Sequence, residues 1–240
     1  MTFNRTQIDK ILDMIFPLPE EFGTYEEGEF EGIYRIEKNI HTIDPKATIA
    51  YGISKLVIIA PSIGNVVIKI PFNGYFYEVY IDEESDDTEL TWKPFENAEG
   101  TDPSDYCLTE YEKYQNLKEY NLDRFVAEVM FYTERDGIRI FLQEKVISVD
   151  DSCNTPIASK KSKDLVKRWS NERFQNGHRI LVSEEWLANC IDAYGVDNVQ
   201  EFLYYCDNID SSIVRDMHGG NYGYREDNTP VILDYSDFTD

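Results

Sequence analysis

Residues 214–221 read Val214-Arg215-Asp216-Met217-His218-Gly219-Gly220-Asn221, and residues 230–234 read Pro230-Val231-Ile232-Leu233-Asp234. Asp216 and Asn221 stand five positions apart, and Asn221 and Asp234 thirteen. Their side chains offer carboxylate and carboxamide oxygens. Such donors suit a hard cation such as Mg²⁺, which keeps several waters and also binds phosphate. Gly219-Gly220 allow backbone conformations that a side chain would block, or simply mark a turn. Val231-Ile232-Leu233 is a short strand signal ending at Asp234, and Asp227-Asn228 links it to a second strand at Tyr222–Tyr224. A further short strand is expected around Ile213-Val214.

Working back along the chain, residues beyond about 150 are expected to be mostly helical. Ser183 is an N-cap for the helix Glu184-Glu185-Trp186-Leu187-Ala188-Asn189-Cys190-Ile191-Asp192-Ala193-Tyr194, with two acids in its first turn. Gly195 separates that helix from residues 196–206. The earlier part is β-rich. Residues 47–60 and 65–72 carry β-branched runs separated by Pro61-Ser62-Ile63-Gly64, a turn signal. Residues 75–81 and 89–95 flank an acidic tip and read as a hairpin. Residues 124–134 and 137–146 read as another, joined at Asp136-Gly137. Helices are expected over 6–16, with Ile8, Ile11, Leu12 and Ile15 inward and Thr6 as cap, and over 103–120, with Pro103 in its first turn and Leu108, Tyr111, Tyr114 (or Gln115) and Leu117-Lys118 recurring. Residues 20–32 read as an exposed acidic loop or short edge strands.

The chain has 240 residues and a net charge of −23, which disfavours nucleic-acid backbones and anionic lipid. Residues 158–179 oppose this trend, with Lys160, Lys161, Lys163, Lys167, Arg168, Arg173 and Arg179 against Asp164 and Glu172. The remainder holds 16 basic and 44 acidic residues, a balance of −28. The basic island either binds an acidic partner or pairs with the acidic body of its own chain. Cys107, Cys153, Cys190 and Cys206 lack CxxC spacing and read as free thiols in a reducing cytoplasm. No secretory signal or membrane span is expected.

Lys69 sits in Val66-Val67-Ile68-Lys69-Ile70, and strand alternation puts Val67 and Lys69 on one face. Either Lys69 snorkels from an edge, or it serves a charged partner inside. Glu110 and Glu112, on the helix that follows, are candidate partners. His218 is either a structural loop histidine or a functional one.

Taken in order, a Lys strand, a Glu helix, a hairpin, helices, Asp-x4-Asn and an Asp after a strand resemble the protein-kinase-like fold. The resemblance implies an α+β, two-lobed architecture. Residues 1–146 would be an antiparallel β-rich N-lobe with an N-terminal extension and an inserted hairpin. Residues 147–240 would be a truncated, mostly helical C-lobe carrying the catalytic loop and metal-binding Asp. It also implies ATP and Mg²⁺ as cofactors. Lys69 would touch the α- and β-phosphates and pair with Glu110, the first choice over Glu112. Val67 would face adenine, Gln143 would line the back of the pocket, and Glu144, Lys145 and Val146 would offer backbone hydrogen bonds. Asp216 would orient the acceptor hydroxyl, His218 would contact the γ-phosphate or steady the loop, and Asn221 and Asp234 would hold metal.

The pattern departs from ordinary protein kinases. Val214 replaces the His of H-R-D. The turn at Tyr51-Gly52-Ile53-Ser54-Lys55 has one glycine, with Ser54 and Lys55 as partial substitutes. Tyr235-Ser236 follows Asp234, with Asp237 and Phe238 just beyond, and the chain ends at Asp240. The ending is similar to that of the minimal early serine/threonine protein kinases of short-tailed bacteriophages. That resemblance implies host proteins as substrates, in the host cytoplasm. Two other readings stand beside it. One is a small-molecule kinase like those acting on aminoglycosides or choline, which share Asp-x-His-x-x-Asn. The other is a catalytically idle, acidic kinase-like protein that captures a basic host partner.

Overall fold

Ile8, Ile11, Leu12 and Ile15 recur at helical spacing, and all four are buried. The computed structural model describes residues 1–18, 25–26, 29–51, 55–76, 90–94, 105–149, 155–175, 182–215 and 217–236. Among these lie six helices: α1 (Arg5–Ile15), α2 (Glu31–His41), α3 (Tyr106–Glu119), α4 (Lys160–Gln175), α5 (Glu184–Tyr194) and α6 (Val196–Asn208). The strands are β1 (Tyr25–Glu26), β2 (Glu29–Phe30), β3 (Thr48–Tyr51), β4 (Lys55–Ile59), β5 (Val66–Phe76) and β6 (Leu90–Pro94), then β7 (Val129–Arg135), β8 (Ile138–Glu144), β9 (Ile147–Ser148), β10 (Tyr222–Tyr224) and β11 (Pro230–Ile232). The fold is mixed α+β. The chain divides into two compact units, Met1–Thr109 with Val129–Glu144, and Glu110–Glu128 with Lys145–Asp240.

The first unit is built on an antiparallel path β3-β4-β5-β8-β7, with β6 paired to the far end of β5. Leu56, Ile58, Val66, Ile68, Ile70, Ile138, Ile140 and Leu142 point to one face. They form a single core with the inward residues of α1 and with Ile33, Ile36 and Ile40 of α2. Pro71 lies between the last β8 pair, Lys69↔Phe141, and the first β6 pair, Phe72↔Pro94, where a missing N–H is tolerated. Asp136 and Gly137 both have positive φ, 50° and 79°, as the tight β7–β8 turn demands.

Several expectations change. Asn4, not Thr6, caps α1, its side chain accepting from the Gln7 N–H at 3.3 Å. Residues 25–30 do hold two short strands, but α2 follows directly where no element was assigned. The inward stripe of α3 is Cys107, Glu110, Tyr114 and Leu117, whereas Leu108 and Tyr111 are half-buried.

In the second unit, α5 begins at Ser183, whose hydroxyl accepts from the Trp186 N–H at 3.4 Å. Gly195, at φ 84°, turns the chain into α6. Phe125, in the 3-10 turn Asp123–Phe125, stacks on Phe202 at 4.4 Å. β9, β10 and β11 form a three-stranded antiparallel sheet in the order β11-β10-β9. Ile213 and Val214 are buried in the 3-10 turn Ser211–Val214 rather than in a strand, because the Asp210 carboxylate accepts from the Ser212 N–H at 3.1 Å and caps a turn. Gly52, Ser54, the acidic tip at 82–87, Pro103, Cys153, Arg179, Asp216, Asp237 and Phe238 lie outside the described residues. Among the described residues no helix is long and apolar enough to cross a membrane.

Candidate functional site

The β10–β11 hairpin decides the geometry of the polar loop. Its register, Tyr222↔Ile232 and Tyr224↔Pro230, places Asn221 beside the end of β11. The Asn221 carbonyl accepts from the N–H groups of Leu233 at 2.7 Å and Asp234 at 3.2 Å. A separation of thirteen residues thus becomes direct backbone contact. The hairpin turns at Asn228, φ 67°, where the Asp227 carboxylate accepts from the Thr229 N–H at 3.0 Å.

The Asn221 backbone and the Asp234 side chain are each held by neighbours. Asn221 is buried, and its N–H donates to the His218 carbonyl at 2.9 Å. Ser236 donates to Asp234 Oδ1 through its hydroxyl at 2.8 Å and its N–H at 3.3 Å. Next to Asp234, the buried Tyr235 hydroxyl donates to the Ala127 carbonyl at 2.9 Å, while the Ala127 N–H donates to the Ile232 carbonyl at 2.8 Å. The Val126-Ala127 segment therefore grips the chain on both sides of Asp234. His218 is exposed, and its Nδ1 accepts from the Gly220 N–H at 3.1 Å, a local bond that shapes the loop. Asp216 lies outside the described residues. The 3-10 turn preceding it is fixed by Lys113, whose ammonium donates to the Ser212 hydroxyl at 2.5 Å, which in turn donates to Asp210.

In the first unit, the sheet face opposite the apolar core has a different character. Val57, Lys69 and Phe141 form one cross-strand row, and Val67, Gln143 and Val129 a second. Lys69 is 4% exposed, Lys55 7% and Gln143 2%. Placing ammonium groups in a sheet at such burial is costly unless they are compensated. Glu144 is half-buried at the end of β8. Val146 is half-buried in the segment before β9. In the second unit, Glu110 of α3 is fully buried while Glu112 is exposed.

No protein-family model, curated protein or solved structure matches the chain.

Among the described residues no group of three or more His, Cys, Asp or Glu side chains is placed to hold a metal ion. Asn221 and Asp234 meet through their backbones, and their side chains are a carboxamide and a carboxylate, a donor chemistry that suits a hard cation completed by water and phosphate. Sequence reasoning did not single out Val57, Ser236, Tyr235 or Ala127. Alternation within β4 marks Lys55 and Val57 as sharing a face, but only the register with β5 sets Val57 opposite Lys69 and Lys55 opposite Pro71.

Proposed function

We propose that this chain is an ATP- and Mg²⁺-dependent phosphotransferase of kinase-like form, transferring phosphate to Ser or Thr hydroxyls of host proteins. The observation that carries the reading is the backbone junction of Asn221 with Leu233 and Asp234, which brings the main chain of two residues with oxygen-donor side chains together at the end of a hairpin. A bound Mg²⁺ would neutralise charge on the phosphates. Asn221 and Asp234 are the residues to hold it, with Ser236 fixing the Asp234 carboxylate. Asp216 orients the acceptor hydroxyl. Lys69 supplies a desolvated ammonium for the α- and β-phosphates, where an ion–phosphate contact is stronger than in water. Glu110 supplies the buried carboxylate that the reading requires as the counter-charge of Lys69. Val67 and Gln143 flank the base, and the backbone of Glu144 and Val146 reads its edge. His218 steadies the loop through Gly220.

Transfer from γ-labelled ATP tests this, with purified protein, Mg²⁺ and a bacterial lysate, run beside Asp216→Ala and Asp234→Ala. Label on the chain itself or on lysate proteins, lost in both variants, supports the reading. Label that persists in both variants, or none on any protein, rejects it.

A further inference from the structure

We infer that the outer face of α4 is a docking surface for short acidic segments of protein substrates. The role in substrate choice rests on the protein-kinase reading; the binding itself does not. On a helix, Lys160, Asp164 and Lys167 fall in one row, with Lys161 and Arg168 in the row beside it. Lys160, Lys161, Lys167 and Arg168 are all exposed, and no carboxylate among the described residues pairs with them. Asp164 is the acid on this face, and Lys160, Lys161, Asp164 and Arg168 line one surface depression.

The helix is held so that this face stays outward. Val166, Ser162 and Ala158 are buried. Asp192 of α5 accepts from the Ser159 N–H at 2.5 Å, the Ser159 hydroxyl at 2.8 Å and the Ser162 hydroxyl at 2.6 Å. Glu185 accepts from the Ala158 N–H at 3.1 Å and pairs with Lys163 at 2.9 Å. One lysine is thus used internally while four cations are displayed. The expected pairing of this island with its own acidic body holds for Lys163, not for these four.

Charge complementarity selects the occupant. Residues 160–168 span about 12 Å of helix, the length of roughly four extended residues. A short acidic segment fits within that reach. A nucleic-acid strand would run on to a body carrying −28, where repulsion extends over a Debye length of about 8 Å.

The test uses the full chain and a labelled peptide with one Ser flanked by four Glu, beside the same peptide with Gln. The variant is Lys160→Gln/Lys161→Gln/Lys167→Gln/Arg168→Gln, in which helix propensity is kept; Lys10→Gln/Lys38→Gln is the control. Anisotropy is expected to show salt-sensitive binding of the Glu peptide, weakened at least about tenfold in the quadruple variant and unchanged in the control. In the transfer assay, KM for the Glu peptide rises and kcat stays. Undiminished binding by the quadruple variant overturns the inference. So does an oligonucleotide that binds this face more tightly, or self-association lost in the variant with no peptide bound. Peptide binding without transfer from ATP keeps the docking surface and sinks the kinase reading alone.

Discussion

Replacing Tyr235 by Phe removes one hydroxyl and keeps the ring, so it opens no cavity. The hydroxyl donates at 2.9 Å to the Ala127 carbonyl, and both residues are buried, at 1% and 0% exposure. The carbonyl would be left without this donor, at a cost of about 1–3 kcal/mol. For a chain of this size that corresponds to a fall in Tm of roughly 2–12 °C. Tyr235 adjoins Asp234, so losing the grip also lets that carboxylate drift, and a displacement of about 1 Å costs on the order of 100-fold in rate. Tyr194→Phe is the matched control. Its hydroxyl lies 2.7 Å from the carbonyl oxygens of Arg124 and Pro230, at the opposite end of β11. Thermal melts and label transfer per folded molecule would be compared. Both variants should lose stability, but only Tyr235→Phe should lose most of its transfer. Equal transfer losses, or an unstable Tyr235→Phe protein with full activity, would refute the reasoning.

Three further outcomes follow from local geometry. Gly223 pairs with Ser148 of β9, and a Cβ there would overlap the Ile147 backbone carbonyl; Gly223→Ala should cost at least ~3 kcal/mol in chemical denaturation. Ser183→Ala removes the α5 cap and should lower stability by about 1 kcal/mol in the same assay, with Ser183→Asp restoring it. Burial alone would push the Asp192 carboxyl up, but the Ser159 N–H and the hydroxyls of Ser162 and Ser159 outweigh it and hold the group below its ordinary 3.8. Its contribution is therefore complete above that value and is lost as pH falls through the lower folded one, so Asp192→Asn should flatten the acid limb of urea-unfolding stability below about pH 5.

Much of the framework was legible where a local rule meets no competitor. Asp136-Gly137 specified the β7–β8 turn, Ser183 the start of α5, and the isoleucine spacing the inner face of α1. α2 was missed although Ile33, Ile36 and Ile40 keep helical spacing, because the acidic, glycine-containing stretch before it reads as loop. Ile213-Val214 reads as strand from its branched side chains, yet Asp210 captures the Ser212 N–H and the turn wins. Cys107 was hidden because Leu108, Tyr111, Tyr114 and Leu117 fit a helical period equally well, whereas spacing to Tyr114 and Leu117 named Glu110. At the polar site, spacing named Asn221 and Asp234. Their contact depends on hairpin register, and the Tyr235–Ala127 bond joins residues far apart in sequence, which no local pattern encodes.

The most direct measurement is ATP affinity by calorimetry, with and without Mg²⁺, for the wild-type chain and Asp234→Asn. If Asn221 and Asp234 hold a metal for the nucleotide, Mg²⁺ should tighten wild-type binding by about tenfold or more. In the variant, affinity should be nearly the same with and without the ion. An equal Mg²⁺ effect in both proteins, or no nucleotide binding by the wild type, would contradict the account.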